Sequence, residues 1–418
     1  MTIPLDLPEF PDVDRAAKSR LRREFSTFAV QGLPVDLPAH IRSHYGVDLT
    51  GRYAGREIRL PFGKGSGQLS MRAGQIEEAA RAGLGFVVIK TLIAQSESGA
   101  RSMEAWAVHA PRMVVEPIRA RTGHLGWTVS WAGRGWSDSF DDYLELYGRA
   151  LEIGRDHHMV IAPSVKYHLP GPHESTWQTD EYRHTTRALL DVWDRARLPD
   201  AGELGPALEK DFSPTLAGSD RASTRARILD WLEVVPRLIR EAAGDRPLRL
   251  GLKLFNAVDD EDFQLEMLAQ AHRTPSGADF LVHANRLFDP ERTFDGRRGV
   301  AYGGPDLSDR NLRVLEAFRR SSPSFRPLEL SGTGNIADGR IAARYVALGC
   351  TSLQIHTGFQ LPPEAYPMKV GSKVERAIHR LCFDPDRGLI AWMLHIGRAH
   401  GLADGGMIRL LDVAALAG

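Results

Sequence analysis

Two glycine-containing loops in the C-terminal part of the chain have the composition of a phosphate site. One is Ser331-Gly332-Thr333-Gly334-Asn335, which follows a short apolar run and precedes a helical pattern. The other is His356-Thr357-Gly358, at the end of the next apolar run. Glycines let backbone N–H groups approach a ligand closely, and a helix that begins just after such a loop favours an anion. Side by side, the two loops would bind one phosphate group, with His356 either donating to it or narrowing the site.

Three polar side chains lie at or near the ends of other apolar runs. Lys90 ends GFVVIK, Lys253 lies within LGLKLF, and Asn285 follows DFLVHA. A lysine in an apolar strand is costly to bury unless it faces an anion or a polar ligand, and an amide can donate to and accept from a ring. We expect these residues to contact a cofactor or substrate. The alternative for the lysines is an ion pair with a carboxylate such as Glu116, or a charged tip that extends to solvent.

A repeated pattern of short apolar run, polar loop and amphipathic stretch positions these residues. It is typical of parallel strands joined by helices. Helical patterns lie between most of the runs, for example at 73–82, 140–153, 226–243 and 339–348. Eight strands of this kind predict an α/β fold, a (β/α)₈ TIM barrel, with an open doubly wound sheet as the alternative. The predicted strands are 57–62, 85–90, 126–132, 158–163, 249–254, 279–284, 327–331 and 351–356.

Two regions do not fit the repeat. Residues 1–55 precede the first predicted strand and contain a basic helical stretch, so we expect an N-terminal extension packed on the barrel domain of residues 56–418. After the fourth predicted strand, the interval of about 166–225 is too long for an ordinary connection in an α/β unit. Barrel active sites lie at the carboxyl ends of the strands. We therefore expect this interval to be a lid over the active site, and a disordered surface excursion is the alternative.

The composition predicts a globular protein without a polyanionic partner. The chain has 418 residues, and 53 Lys+Arg balance 53 Asp+Glu, so no global basic field attracts nucleic acid or an anionic membrane. Two cysteines, Cys350 and Cys382, are too few for a disulfide framework or a typical iron–sulfur cluster, and no metal site is predicted. No signal-peptide core and no apolar run of roughly 18 residues is present. We expect a soluble, cytoplasmic protein.

In their order along the chain, these segments resemble the dihydroorotate dehydrogenase family of FMN barrels, which includes the FMN domain of dihydropyrimidine dehydrogenase. IRLPFGKGSG is similar to the family's Asn-Pro…Ala-Ser-Gly, and GLGFVVIKT to its Gly-x-Gly-x-x-x-x-Lys-Thr. LGLKLFN resembles the strand that carries the lysine near the flavin N1/O2 edge, and HANRLF stands where the family has Thr-Asn-Thr. YGGPDL resembles a flavin loop, and SGTGN and IHTGF resemble the paired phosphate loops.

The resemblance implies FMN as the cofactor, contacted by residues of all these segments. The implied cofactor-binding residues are Gly65, Ser66, Gly67, Lys90, Thr91, Lys253, Asn285, Gly303, Gly304, Gly332, Thr333, Gly334, His356, Thr357 and Gly358.

The chain departs from the family where proton transfer is expected. After strand four the family has Asn-x-Ser-(Cys or Ser)-Pro-Asn, in which the second Ser or Cys is the base. The fourth predicted strand is instead followed by Ser164-Val165-Lys166-Tyr167-His168, with Val165 at the base position. A valine cannot transfer a proton, and histidine titrates nearest neutral pH. His168 is therefore the first candidate, followed by Tyr167, Lys166 and Ser164.

We expect an FMN-dependent oxidoreductase that acts on CH–CH groups of a small heterocyclic or unsaturated substrate. Its second electron partner would be a nicotinamide cofactor or an electron-carrier protein, and a homodimer is among the assemblies considered. Two other functions are left open. One is a flavin-less, phosphate-binding barrel lyase or isomerase that forms a Schiff base through Lys90 or Lys253. The other is a non-catalytic flavoprotein subunit.

Overall fold

The structure is a computed structural model that describes residues 7–107, 113–131, 135–196, 204–257, 260–273, 277–321, 328–403 and 405–417. In these residues the helices are α1 (Arg15–Gln31), α2 (Leu37–Tyr45), α3 (Ala73–Arg81), α4 (Phe140–Asp156), α5 (Thr179–Ala196), α6 (Arg225–Ala243), α7 (Glu261–Arg273), α8 (Pro305–Ser321), α9 (Gly339–Ala347), α10 (Lys373–Phe383), α11 (Leu389–His400) and α12 (Leu410–Ala415). The strands are β1 (Val47–Asp48), β2 (Gly51–Tyr53), β3 (Arg56–Ile58), β4 (Phe62–Lys64), β5 (Phe86–Val88), β6 (Leu92–Ile93), β7 (Met113–Arg119), β8 (Leu125–Trp131), β9 (Val160–Ala162), β10 (Ser164–Lys166), β11 (Ala207–Asp211), β12 (Arg249–Lys253), β13 (Phe280–His283), β14 (Leu287–Phe294), β15 (Arg297–Tyr302), β16 (Glu329–Thr333), β17 (Cys350–Ile355) and β18 (Ile408–Arg409).

Ten of these strands form one closed parallel barrel. The eight positions around it are β4, β5 with β6, β9 with β10, β11, β12, β13, β16 and β17. The ring closes because β4 pairs with both β17 and β5, and β10 pairs with both β6 and β11. Pro163, which has no backbone N–H to donate, separates β9 from β10. The predicted (β/α)₈ barrel is confirmed.

Two predicted barrel strands were misplaced, and one barrel strand was missed. The predicted strand 57–62 covers most of β3, which pairs with β2 in a separate two-stranded sheet, and reaches only the first residue of β4. The predicted strand 126–132 falls on β8, which pairs antiparallel with β7 in a hairpin outside the barrel, and Ala132 lies outside the described residues. The fourth barrel position belongs instead to β11, whose sequence ALEKD carries three charged residues in five. Charges usually indicate solvent exposure, but here all five residues are buried because Glu209 and Asp211 bond to partners inside the barrel.

The interval 166–225 is largely part of the barrel rather than a lid. It contains α5, which packs between α4 and α6, and β11, which pairs with β10 and β12. Within the described residues, the cover is instead built from two antiparallel hairpins, β7–β8 after the second barrel position and β14–β15 after the sixth. β8, LGWTVSW, is a short run rich in aromatic and β-branched residues, and in the sequence such a run resembles a barrel strand.

A third hairpin, β2–β3, closes the opposite end of the barrel. The Tyr53 ring stacks on Phe86 with 3.9 Å between centroids, and its hydroxyl donates to Glu209 Oε1 at 2.6 Å. Tyr53 and Ile58 belong to an inner apolar cluster with side chains of β5, β11 and β13. This end is therefore filled, and a ligand must enter from the carboxyl ends of the strands.

The N-terminal helices pack on the barrel's last helices. Phe28 of α1 lies edge-on to Phe383 of α10 with 5.0 Å between centroids, and β1 pairs with β18. Capping boxes at Ser139 and Ser372 begin α4 and α10. No helix in the described ranges combines the length and apolar character needed to cross a bilayer.

Candidate functional site

A cavity of about 470 Å³ opens at the carboxyl ends of the barrel strands. Its volume lies in the range of small-molecule sites, and its position is that of barrel active sites. Residues that follow β4, β5, β11, β12, β13, β16 and β17 line it. The predicted cofactor residues that line it are Gly65, Ser66, Lys90, Thr91, Lys253, Asn285, Gly303, Gly304, Thr333, Gly334, His356, Thr357 and Gly358.

Two of the predicted glycines have packing roles instead. A Cβ on Gly67 would lie 2.2 Å from His356 Nε2, and a Cβ on Gly332 would lie 2.8 Å from the Tyr345 ring. Neither glycine lines the cavity. Both are needed because a neighbouring ring occupies the space of a side chain.

The loops after β16 and β17 meet at one end of the cavity, as the sequence predicts. Gly334 has φ +111°, which favours glycine, and a Cβ there would lie 2.8 Å from Asn311 Nδ2. Tyr366 donates its hydroxyl to the Gly358 carbonyl at 2.8 Å. Arg380 of α10 also lines the cavity. We name Gly334, Thr357, Gly358 and Arg380 the anion end.

The helix after the β16 loop is already capped by a side chain. Asp338 Oδ1 accepts the Ile341 N–H of α9 at 2.9 Å, and its other oxygen pairs with Arg387. A carboxylate at this helix start satisfies part of the positive end of the dipole. Glycine loops and Arg380 therefore account for the anion end better than the N-terminus of α9 does.

Two buried lysines face the middle of the cavity. Lys90 is 3% exposed, and burial, followed by the charge of Lys166, lowers its pKa to about 7. Lys253 donates to Gln354 Oε1 at 3.0 Å, and the Gln354 amide nitrogen donates in turn to Glu209. Glu209 and Gln354 therefore fix the position of the Lys253 ammonium group from inside the barrel.

Asp211 is the carboxylate of this cavity. It accepts from Lys166 Nζ at 3.2 Å and from Asn285 Nδ2 at 2.9 Å. Burial acts to raise its pKa, but Lys166, Lys253 and the Asn285 bond outweigh it, and the pKa lies below its ordinary value. The Asn285 amide nitrogen also donates to the Phe212 carbonyl at 2.9 Å, so its amide oxygen is the atom turned to accept from a ligand.

The four predicted proton-transfer residues do not line the cavity. Ser164 lies behind it, where a hydroxyl chain runs from Ser66 Oγ to Thr91 Oγ1 at 2.9 Å and on to Ser164 Oγ at 3.0 Å. Lys166 is the ion-pair partner of Asp211. These two residues support the cavity wall from outside.

Tyr167 and His168 lie farther away, beneath α5. Tyr167 bonds to Thr186 Oγ1 at 2.7 Å. His168 is 1% exposed, its Nε2 lies 3.3 Å from Glu174, and its Nδ1 accepts the Gln178 N–H at 3.2 Å. Burial lowers the pKa of His168. Both residues hold the segment that leads to α5, and the structure does not bring them to the cavity.

Ser213 is a cavity residue that was not predicted from the sequence. It follows β11, the true fourth barrel strand, lines the cavity, and has its Oγ 3.1 Å from Thr215 Oγ1. Phe212-Ser213-Pro214-Thr215 retains the two central positions of the Ser-(Cys or Ser)-Pro-Asn pattern, with Ser213 at the base position, and has Phe212 and Thr215 at the outer two. Ser213 was not predicted because β11 was not predicted as a strand, so the base was expected after β9 instead of after β11.

His356 lies in the cavity wall as a neutral imidazole. Burial, followed by the charges of Arg286 and Lys90, lowers its pKa well below the ordinary value. The Gln360 amide nitrogen lies 2.7 Å from Nδ1, and the Trp131 ring lies 4.9 Å away between centroids. His356 therefore joins the wall to hairpin β7–β8 and adds no charge.

Arg286, which the sequence analysis did not select, connects both hairpins. Its Nη1 donates to the Val129 carbonyl of β8 at 2.7 Å and to the Ala301 carbonyl of β15 at 3.0 Å. The Gly303 N–H also donates to Thr128 Oγ1 at 2.9 Å. These bonds hold the two hairpins together over the mouth of the cavity.

Among solved structures, the chain is similar to that of DHODH (dihydroorotate dehydrogenase) from Eimeria tenella in complex with ferulenol. The TM-score is 0.57, the identity is 13%, and the alignment covers 98% of this chain and 97% of that chain. No protein-family model and no curated protein matches the sequence. At this identity the similarity shows the fold.

Proposed function

We propose that the protein is an FMN-dependent oxidoreductase that transfers hydride to or from a carbon of a small heterocyclic or unsaturated substrate. The observation that carries the proposal is the convergence on one cavity of the anion end, two buried lysines, Asn285 and Ser213. The position of this cavity at the carboxyl ends of the strands in a DHODH-like fold supports the proposal.

The charges of the cavity suit a phosphorylated cofactor. Among its lining residues, the charged groups are five cations and one carboxylate, namely Lys90, Lys253, Arg286, Arg297, Arg380 and Asp211. Lys90 and Lys253 are buried and Arg286 and Arg380 are half-buried, whereas Arg297 is exposed. Positive charge taken out of water is costly unless an anion accompanies it. Apolar side chains such as Trp127, Trp131 and Ile336 supply contacts for a flat ring. The residues present therefore fit FMN.

The proposal gives each group a task. Gly334, Thr357, Gly358 and Arg380 bind the phosphate, while Lys90 and Lys253 donate to the polar edge of the ring system. The Asn285 amide oxygen accepts from the ring or from the substrate. When bound, FMN supplies hydride transfer at its N5 atom.

Ser213 is the group placed for proton transfer. Its hydroxyl exchanges a proton with the substrate carbon next to the one that exchanges hydride, and the Thr215 hydroxyl, 3.1 Å away, relays it. With a serine at this position, the absence of a base no longer argues against dihydroorotate, which becomes the first substrate to test. Thr215, which lines the cavity, replaces the family's second Asn, so the substrate ring meets a different wall; Lys210 and Phe212, which replace the first Asn and first Ser, do not line the cavity.

The second electron partner is proposed to be external. Both cysteines of the chain are buried and unpaired, and burial raises the pKa of Cys350 to about 12, so this thiol is chemically inert at neutral pH. A nicotinamide cofactor or a carrier protein would exchange electrons at the same cavity mouth. A homodimer remains the assembly to test.

Flavin binding is the first test of the proposal. The purified full chain is incubated with FMN, freed of excess ligand and examined by visible absorption. We expect a bound flavin that dihydroorotate, or a member of a panel of dihydropyrimidines and enones, reduces or reoxidises. A protein that retains no flavin after this treatment would disprove the proposal.

A lysine-based lyase or isomerase is the second candidate, and the lowered pKa of Lys90 favours it. An amine with a pKa of about 7 is about half in its neutral, nucleophilic form at neutral pH. Borohydride trapping with phosphorylated aldehydes and ketones separates the two functions. A stable adduct on Lys90 in flavin-free protein would support the lyase, whereas FMN that blocks the adduct would show that the two ligands share the cavity.

A further inference from the structure

Three metal-binding side chains meet on the N-terminal extension, away from the cavity. Glu24 of α1 and His40 and His44 of α2 place one ligand atom each within 4.8 Å of the others. His40 and His44 are four residues apart on one helix, which puts both rings on the same face. In the sequence this spacing is the His-x-x-x-His of HIRSH, and no metal site was predicted from it.

The two imidazoles are oriented alike. Their rings stack with 4.0 Å between centroids and 20° between planes. His44 Nδ1 lies 3.0 Å from the His40 carbonyl and 2.9 Å from Ser43 Oγ, which leaves Nε2 as its ligand atom. A ring nitrogen bonded to a backbone carbonyl is the usual way in which a protein fixes the tautomer of a metal-binding histidine.

Hydrogen bonds fix the position of the Glu24 carboxylate. Glu24 is 8% exposed, and its Oε2 lies 2.9 Å from His40 Nε2 and accepts the Tyr45 hydroxyl at 2.8 Å. A proton now lies between His40 and Glu24. Ligand atoms around a tetrahedral zinc ion are about 3.4 Å apart, so zinc binding requires this contact to open and the two stacked rings to turn until their nitrogens converge on the ion.

We propose that Glu24, His40 and His44 form a Zn²⁺ site with its fourth position open to water. Two imidazoles and one carboxylate are a ligand set that zinc accepts, and a neighbouring tyrosine supports the carboxylate as an outer partner. Arg20 donates to the His44 carbonyl rather than to a ligand atom. Its guanidinium lies over the Tyr45 ring, 5.7 Å from the centroid, and its positive charge weakens the site.

The site would tie α1 to α2 beside α10. The His40 ring lies 5.5 Å from Phe28 and 6.3 Å from Phe383, between centroids. Phe383 ends the helix that carries Arg380 to the anion end. Zinc would therefore stabilise the packing of the extension on α10, and it takes no part in the proposed redox step.

Metal titration of the untagged full chain tests this inference. After EDTA treatment, ZnCl₂ is added in a calorimeter and in a thermal melt, with MgCl₂ as the comparison ion. We expect one Zn²⁺ per chain, a higher melting temperature with zinc and no response to magnesium. Co²⁺ in place of zinc should give the visible absorption of a tetrahedral site.

Two variants and one control decide the assignment. His44→Ala changes an exposed ring, and Glu24→Gln keeps an acceptor for Tyr45, so both should fold. Each should weaken zinc binding at least tenfold and remove the thermal shift, while His157→Ala, an exposed histidine elsewhere, should leave both unchanged. Zinc binding that survives in the first two variants, or that is lost in His157→Ala as well, would refute the site.

Discussion

The guanidinium carbon of Arg286 lies 3.6 Å from the centre of the Trp131 ring. Trp131 ends β8, and Arg286 follows β13, so this contact joins the first hairpin to the barrel. The same guanidinium donates to carbonyls of both hairpins. Burial lowers the pKa of Arg286 to about 9, which still leaves it charged at neutral pH. One side chain therefore holds the cover closed and contributes positive charge to the cavity.

Arg286→Met should loosen the cover. The variant loses two hydrogen bonds and a cation–π contact while keeping a long apolar side chain. We expect faster hydrogen exchange in 113–131 and 287–302 and FMN that dissociates at least tenfold faster. Arg298→Met removes an exposed arginine from hairpin β14–β15. It should change neither the hydrogen exchange nor the rate of FMN dissociation. Unchanged exchange in Arg286→Met would show that other contacts hold the hairpins.

The barrel was predictable from sequence because most of its strands are apolar. β5, β12 and β17 are buried on both faces, and such strands form nearly continuous apolar runs. β11 was not predictable in this way, since Glu209 and Asp211 are buried with partner side chains distant in sequence, and Lys210 is buried with its ammonium group donating to the Asp211 carbonyl. Only the closed barrel brings those partners together.

The difference between apolar and charged strands also explains which site residues were predicted from the sequence. Lys90, Lys253 and Asn285 were found because a polar residue at the end of an apolar run is conspicuous. Ser213 was missed because its strand was missed, and the error moved the expected base to Val165. Arg286 was not predicted because its partners are backbone carbonyls of two hairpins. Every residue has a backbone carbonyl, so the residue types do not indicate this contact.

Ser213→Ala should separate proton transfer from flavin binding. The variant should bind FMN as the wild type does, whereas its flavin should be reduced at least about a hundredfold more slowly, the scale of a lost acid or base. Dihydroorotate, or the first compound that reduces the wild type, is the reductant in stopped-flow absorption. Ser213→Cys should keep part of the rate, because the family has either residue at this position.

Ser164→Ala is the matched control for Ser213. Ser164 was predicted from sequence as a catalytic candidate, but its hydroxyl bonds to Thr91 behind the cavity wall. Its removal should leave the rate within a fewfold of the wild type. If Ser164→Ala slows reduction as much as Ser213→Ala does, proton transfer runs through the hydroxyl chain instead.

Lys90→Met should stabilise the flavin-free protein and weaken FMN binding. The pKa of Lys90 is about 7 in the folded protein and about 10.4 in an unfolded chain. Between these values the folded state binds fewer protons, so the destabilising effect of Lys90 is complete below pH 7 and declines as the pH rises. The gain in the variant should therefore shrink from pH 6.5 to pH 9, by at most about 1.4 kcal/mol per pH unit.

Urea unfolding at pH 6.5 and pH 9 measures this gain in stability. Lys64→Met is the control for FMN affinity. Lys64 is buried on β4 outside the cavity lining, and its ammonium donates to the Gln75 carbonyl at 2.8 Å. Lys64→Met removes the same charge and should leave FMN affinity unchanged, whereas Lys90→Met should lower it at least tenfold. Equal FMN affinity in both variants would remove Lys90 from the cofactor site.

Arg380→Met should distinguish the phosphate from the ring. Arg380 lines the cavity beside Gly358 and Leu381, at the anion end. A phosphate that loses a charged hydrogen-bond donor loses about 1.5–3 kcal/mol, so FMN affinity should fall at least tenfold. Riboflavin, which has no phosphate, should bind the variant and the wild type equally in a fluorescence-quenching titration.

Lys373→Met, which removes an exposed positive charge from the same helix, should leave both affinities unchanged. A parallel loss for both ligands in Arg380→Met would mean that the arginine supports the fold of the cavity instead of the phosphate.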